Sequence, residues 1–316
     1  MGIALEADLG RRVDAVLAVA MLNGFVSKAE ARSIAFCVSR SNVATAQFAD
    51  VIAGFYAPRP AGGSAMIGMP DGGSSSEDPP VASAVLSKKS AEDAPLYTSN
   101  IKRPLDTPDN AVLIRNMLLA QNDENATIVV AGPLTGLARL LGLYGSRPQI
   151  VAKVKRVVIA AGAFPAGPAE ATIKSDLASA RTVFAEWPTS LVVVGSEVGA
   201  ALPYPGSSID ADFSWSPAHP VADAYRAFGK MPYDAPATAL AAMLHAVHAD
   251  DGYFKLSDPG TITVQDDGRT QFTPGPDGKH RYLIVDPAQQ DRVTKMYTDM
   301  VSAKPAQRGG RGRGGT

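Results

Sequence analysis

A single cysteine, Cys37, is all that the chain contains, so neither an intramolecular disulfide nor a cysteine-built zinc site holds this fold together. It lies in the apolar run 33–38, where a free cysteine is expected to be a small core side chain. Neither sign of charge is in excess. Lys and Arg number 30 against 31 Asp and Glu, so no overall field attracts nucleic acid or an acidic membrane. Long apolar runs are also missing: no stretch approaches the roughly 18 residues of a membrane span. The first residues lack the basic, apolar and small-residue order of an export leader, and the expectation is therefore a cytoplasmic protein that does not bind membranes. Strand-like sequence begins almost at Met1, however, and a leader upstream of this start would make it an exported one. No GxGxxG or GxxxxGK[ST] segment is present, which argues against a nucleotide-phosphate loop.

What the chain does have is an ordinary globular composition, 46% apolar and 19% charged over 316 residues, enough for one large domain with a sizeable core. Short β-branched runs at 3–5, 33–38, 127–131, 154–160 and 191–194 alternate with helical patterns at 13–23, 45–56, 110–121, 134–143 and 175–186. That alternation predicts an α/β fold, an open, mostly parallel sheet with helices on both faces. In such sheets ligands sit beyond the carboxyl ends of the strands. Residues 253–285 read as a terminal β-hairpin region with turns at Asp267-Gly268 and Asp277-Gly278. The domain is expected to span 1–303. Within it, the Gly-, Ser- and Pro-rich segment 58–80 is too long for a simple connection and is expected to be a mobile loop or lid. The Arg/Gly-rich tail 304–316 is expected to be disordered.

Three segments place chemistry at strand ends. LEADLGRRVDAVLAVAML (5–22) puts Asp8 and Asp14 around a glycine turn from strand to helix, where carboxylates can hold a hard cation or simply complement the helix dipole. AGPLTGLARLL (131–141) puts a Gly-Pro turn and a helix start at the same edge. MPYDAPATALAAML (231–244) begins an apolar helix near Asp234, which alone would be a helix cap. Among the four histidines, His219 sits in a proline-flanked loop and is a pocket candidate, whereas His245 falls in a helix and is expected to be structural. Trp215 and Tyr225 offer aromatic faces that could stack a base or simply join the core, while Trp187 reads as packing.

In order and spacing, these segments resemble the inosine/uridine-preferring nucleoside hydrolase family. That family opens with an aspartate-rich motif of the form DTDxGxDxDDALAL, continues with GPLTN and carries a His-Asp-Pro-like element late in the chain. Residues 160–170 (AAGAFPAGPAE) and 172–176 extend the similarity, which covers roughly residues 3–285. The resemblance implies hydrolysis of the N-glycosidic bond of a small-molecule nucleoside, with one calcium ion gripping the ribose hydroxyls and an aspartate activating water. It assigns Asp8 as calcium ligand and general base, Asp14 as a ribose ligand, the Thr135 carbonyl and Asp234 as calcium ligands, and Asn42 and Glu170 as site-edge groups. Thr172 takes the place of a site asparagine, and Tyr233 that of a histidine that assists the leaving base. Family members are often dimers or tetramers, so a homo-oligomer is expected.

Several positions depart from the family pattern. Glu6 replaces the first aspartate, Arg12 an acidic spacer, Ala15 the second aspartate of the pair and Gly136 the asparagine of GPLTN. Fewer carboxylates and an added arginine imply a weakened calcium site. The alternatives to slow hydrolysis are a descendant that binds a nucleoside or ribose without turnover, and a structural module that displays segment 58–80. Nucleic acid is not expected as a partner, because the arginines of the tail offer only salt-sensitive attraction.

Overall fold

The computed structural model describes residues 1–57, 65–71 and 79–305. The chain runs β1 (Gly2–Ala7), α1 (Val13–Ser27), β2 (Arg32–Val38), α2 (Val43–Tyr56), β3 (Ile67–Gly68), α3 (Pro80–Leu86) and α4 (Asn110–Leu119). It continues through β4 (Ala126–Ala131), α5 (Thr135–Gly142), α6 (Ser146–Lys153), β5 (Val154–Ala160), α7 (Ala171–Ser175), α8 (Leu177–Glu186) and β6 (Leu191–Val194). Next come α9 (Ser196–Ala201), α10 (Ser207–Ala211), α11 (Pro220–Phe228), α12 (Thr238–Val247), β7 (Phe254–Leu256), β8 (Gly260–Val264), β9 (Thr270–Pro274), β10 (His280–Val285) and α13 (Gln290–Val301). The sheet order is β3-β2-β1-β4-β5-β6-β10-β8-β9, with β7 paired to β10. From β3 to β10 the neighbours are parallel. The fold is thus the expected α/β class.

Two apolar layers flank the sheet. One joins Leu5, Ala7, Val129, Val158 and Val194 to α1, α2, α12 and α13, and the other joins Ala4, Ile128, Val130, Val157 and Val193 to α4, α5 and α8. The alternation of neighbouring strand residues between layers follows from the two-residue period of a strand. Helix α1 is apolar nearly all round and buried nearly all round, as a helix held between a sheet and other helices must be. Its Gly24 allows the close approach of α13, because a Cβ there would run into the Met300 backbone.

Two expectations change. The helix foreseen over 175–186 is broken at Asp176, whose backbone leaves the helical region at φ −154° and whose side chain caps α8 by accepting from Ser179 N at 3.0 Å. The terminal β region is not a run of hairpins. β8 and β9 do form one, around Gly268 at φ +87°, but β10 pairs with β6, β7 and β8 rather than with β9. Residues 277–278 therefore connect strands that are not paired with each other. Inside the presumed lid, Ile67 and Gly68 form an edge strand against Phe36 and Cys37. The rest of that segment, 58–64 and 72–78, and most of the presumed disordered tail, 306–316, lie outside the described residues. Cys37 is buried beside that edge strand.

One acidic side chain sits inside the sheet. Glu6, on β1 between Cys37 and Val130, is fully buried. Its Oε1 accepts from Asn110 Nδ2 at 3.1 Å, and its Oε2 has no partner. Burial, reinforced by the nearby charge of Asp109, pushes its pKa up from 4.5 to about 8, so the carboxyl is largely neutral at pH 7. The folded pKa lies above the unfolded one. The stability from this group is therefore complete below about pH 4.5 and is lost as pH rises toward 8. Thermal melts of Glu6→Gln should gain on wild type steadily from about pH 5 to 8 and level off above that, with a final gap on the order of a few kcal/mol. A pH-independent gap would contradict this assignment.

Candidate active site

The carboxyl ends of β1, β2 and β4 meet tightly. Asp8 N donates to Ala131 O at 2.9 Å, and Ser39 N donates to Ala7 O at 3.1 Å. Gly132 permits this junction, since a Cβ there would meet Ser39 and the Asp8 side chain. Beyond it opens a cavity of about 880 Å³, lined in part by Asp8, Arg12, Asp14, Arg40, Glu170 and Thr172. That volume lies in the range of small-ligand sites, and its place at the carboxyl edge is where open α/β sheets bind ligands. Arg11, Ser175, Phe228, Pro236 and Thr238 complete much of the wall.

Two arginine–aspartate pairs dominate the floor. Arg12 grips Asp14 with Nε to Oδ1 at 3.1 Å and Nη2 to Oδ2 at 2.8 Å, while its Nη1 reaches Ala160 O at 3.2 Å and Thr172 Oγ1 at 3.1 Å. One guanidinium therefore ties the start of α1 to the end of β5 and to α7. Burial opposes its charge, but Asp14, through charge and hydrogen bonds, followed by Glu170 and Asp8, outweighs that and raises its pKa further. Asp14 Oδ2 also accepts from Ala239 N at 3.0 Å, which fixes the first turn of α12. In the second pair, Arg40 Nε donates to Asp8 Oδ2 at 2.8 Å, with the two side chains 13% and 3% exposed. The remaining carboxylate oxygen, Asp8 Oδ1, is buried without a partner. Neither Nη of Arg40 makes a hydrogen bond among the described residues.

Glu170 closes one side. Its Oε1 accepts from Thr172 Oγ1 at 2.8 Å and its Oε2 from Ile173 N at 3.3 Å, capping α7. The Arg12–Thr172–Glu170 chain is continuous.

Of the residues singled out from the sequence, Asp8, Asp14, Glu170 and Thr172 line this one cavity. The others have different surroundings. Asn42 Oδ1 caps α2 by accepting from Ala44 N and Thr45 N. Thr135 Oγ1 donates to Asp176 Oδ2 at 2.5 Å. The Asp234 side chain is engaged by Gly206 N at 2.8 Å on an exposed turn. Tyr233 stacks on Tyr225 at 4.5 Å and donates to Tyr225 O. His219 caps α11 through Nδ1 and is enclosed by Phe55, Phe213 and Trp215, and burial pulls its pKa down to about 4. Ala15 is buried in the core rather than in the cavity wall. Sequence reasoning missed Arg40, Phe228 and Thr238. Only Arg40 carried a usable signal, its position two residues beyond the end of β2.

The donor set, as arranged, does not fit a calcium ion. Calcium takes six to eight oxygens, with charged carboxylates setting its affinity. Here three of the four carboxylate oxygens of Asp8 and Asp14 face guanidinium groups. Among the described residues no group of three or more His, Cys, Asp or Glu is arranged to hold a metal.

A parallel α/β sheet with a carboxylate-bearing cavity at its carboxyl edge defines a class of small-ligand α/β enzymes and binding proteins. The chain belongs to the inosine-uridine preferring nucleoside hydrolase family, whose model matches residues 4–308. Its fold is similar to that of a plant nucleoside hydrolase, with 20% identity and a TM-score of 0.70 over 96% of this chain and 99% of that one. It is also similar to an inosine-guanosine nucleoside hydrolase, with 15% identity and a TM-score of 0.71 over 95% and 98%. A purine-preferring ribonucleoside hydrolase from Gardnerella vaginalis matches at 16% identity and a TM-score of 0.69 over 96% and 98%. No curated protein matches the chain at a comparable level.

Removing the Arg12 guanidinium leaves Asp14 buried without its ion partner. Arg12→Ala should cost about 3–5 kcal/mol, measured by denaturant unfolding. Arg12→Lys should recover little of this, because an ammonium cannot reproduce the bidentate fork. Ala15→Asp should likewise destabilise the protein, by about 3–5 kcal/mol, because it places an uncompensated carboxylate in the core.

Proposed function

We propose that the cavity takes a ribonucleoside and hydrolyses its N-glycosidic bond, with Asp8 as the base. The observation that carries this reading is the state of Asp8. One oxygen is fixed by Arg40, while Oδ1 is buried and unpartnered, on a residue that lines a cavity of nucleoside size. A carboxylate held in one orientation with one acceptor unpaired is suited to take a proton from a water that reaches it on substrate binding. The water oxygen bonds to C1′ of the ribose, and the proton passes to Asp8 Oδ1. The glycosidic electron pair leaves with the base, which takes a proton from solvent. Glu170 and Thr172, joined to each other and to Arg12, present polar atoms for sugar hydroxyls. Phe228, 45% exposed, offers a face to the base at the cavity wall.

A second reading has its own support. The Arg40–Asp8 and Arg12–Asp14 pairs neutralise the two aspartates of the site, which favours a protein that binds a nucleoside without turning it over. Ribose release measured over inosine, uridine, guanosine, adenosine and cytidine separates the two. For hydrolysis, wild type releases ribose from at least one nucleoside, and Asp8→Asn lowers kcat by about 10²–10⁴-fold. Wild type indistinguishable from Asp8→Asn on every nucleoside would overturn catalysis. Saturable nucleoside binding by calorimetry would then support the binding reading.

A further inference from the structure

We infer that Arg12 and Arg40 are the resident cations of this site, so that the pocket is assembled without a divalent metal. The inference rests on geometry and charge. Among the described residues Asp8 and Asp14 are the aspartates that line the cavity, and each is already joined to a guanidinium at 2.8 Å. Among the described residues the cavity wall sets the carboxylates of Asp8, Asp14 and Glu170 against the guanidiniums of Arg11, Arg12 and Arg40. A dication entering between these groups would have to displace a guanidinium and then face its repulsion.

Arg12 also does the mechanical work expected of a bound cation. A central ion draws ligands from separate chain segments toward one point, and Arg12 does so with the start of α1, the carbonyl that ends β5 and the hydroxyl of Thr172 on α7. Its planar fork matches the Asp14 carboxylate bidentately, a geometry that an ammonium lacks. Arg40 does the same for the end of β2, fixing Asp8 at the end of β1. Nearby residues agree with this. Ala15 faces the core, and Asp234 is engaged on another turn by Gly206 N, so neither adds negative charge to the cavity.

The test reads metal binding and stability rather than turnover, so its failure is distinct from failure of the proposed hydrolysis. Chelator-treated protein is melted in EDTA and in calcium, magnesium or manganese chloride at about 10 mM, and calcium is counted by equilibrium dialysis. A ligand bound only by the folded state at about a hundred times its Kd raises Tm by roughly 4 °C in a chain of this size. The expected result is no such shift with any of the three ions, and far less than one calcium per chain. A calcium-dependent rise of that size, or stoichiometric calcium, would overturn the inference. The second arm uses Arg12→Ala/Arg40→Ala. If the guanidiniums are what displaces the ion, this variant should melt lower in EDTA and regain part of the loss in calcium. A folded double variant as indifferent to calcium as wild type would also overturn the inference. Should the double variant not fold, Arg40→Ala alone carries the same comparison at Asp8, with the same two outcomes.

Discussion

The candidate site depends on one ion pair more than on any other contact. Arg12 and Asp14 are two residues apart, one ahead of α1 and one in its first turn, and together they fasten four separate parts of the chain. Asp14 reaches the amide of Ala239 at the start of α12, and Arg12 reaches the last carbonyl of β5 and the Thr172 hydroxyl. Of those elements, α1, α7 and α12 supply cavity wall. A buried pair of this kind gains little by itself, since desolvation offsets much of the attraction. Its value lies in geometry: a bidentate fork leaves little rotational freedom, so the elements it joins are fixed in register around the cavity.

Beneath the site, a second constraint links two positions that look unrelated along the chain. Glu6 is one methylene longer than an aspartate, and Gly136 has no side chain. A Cβ on Gly136 would run directly into the Glu6 carboxyl and Asn110. The longer acid and the missing side chain are therefore a single packing solution on the α4–α5 side of the sheet. The resulting carboxyl is isolated enough from water to hold its proton near neutrality. Substituting either residue alone would leave a cavity or a collision, and neighbours of this kind are not expected to act additively.

Asp8 is placed by a third close approach. The glycine of the Gly-Pro turn lets the ends of β1, β2 and β4 converge, and Arg40 then pins one carboxylate oxygen and leaves the other buried without a partner. The distinguishing feature of Asp8 is this asymmetry between the two oxygens of one side chain. It arises from a residue on the neighbouring strand's loop rather than from the aspartate-rich segment itself.

The amino-acid sequence alone determined the alternation of strands and helices, the α/β class and the family. Periodicity and local turn chemistry are properties of contiguous residues, and the strand runs at 154–160 and 191–194 coincide with β5 and β6. Through the family resemblance it also marked Asp8, Asp14, Glu170 and Thr172, which lie at or beside the ends of β1, α1 and α7. Tertiary structure alone decided what those groups touch. That Arg12 is a partner of Asp14 rather than a distant repulsive charge, that Arg40 belongs to the site, that Asp234 is engaged by Gly206, and that β10 inserts between β6 and β8 all depend on contacts between residues far apart in the chain. Hydropathy patterns record which face of an element is buried, but not which side chain from another element meets it there.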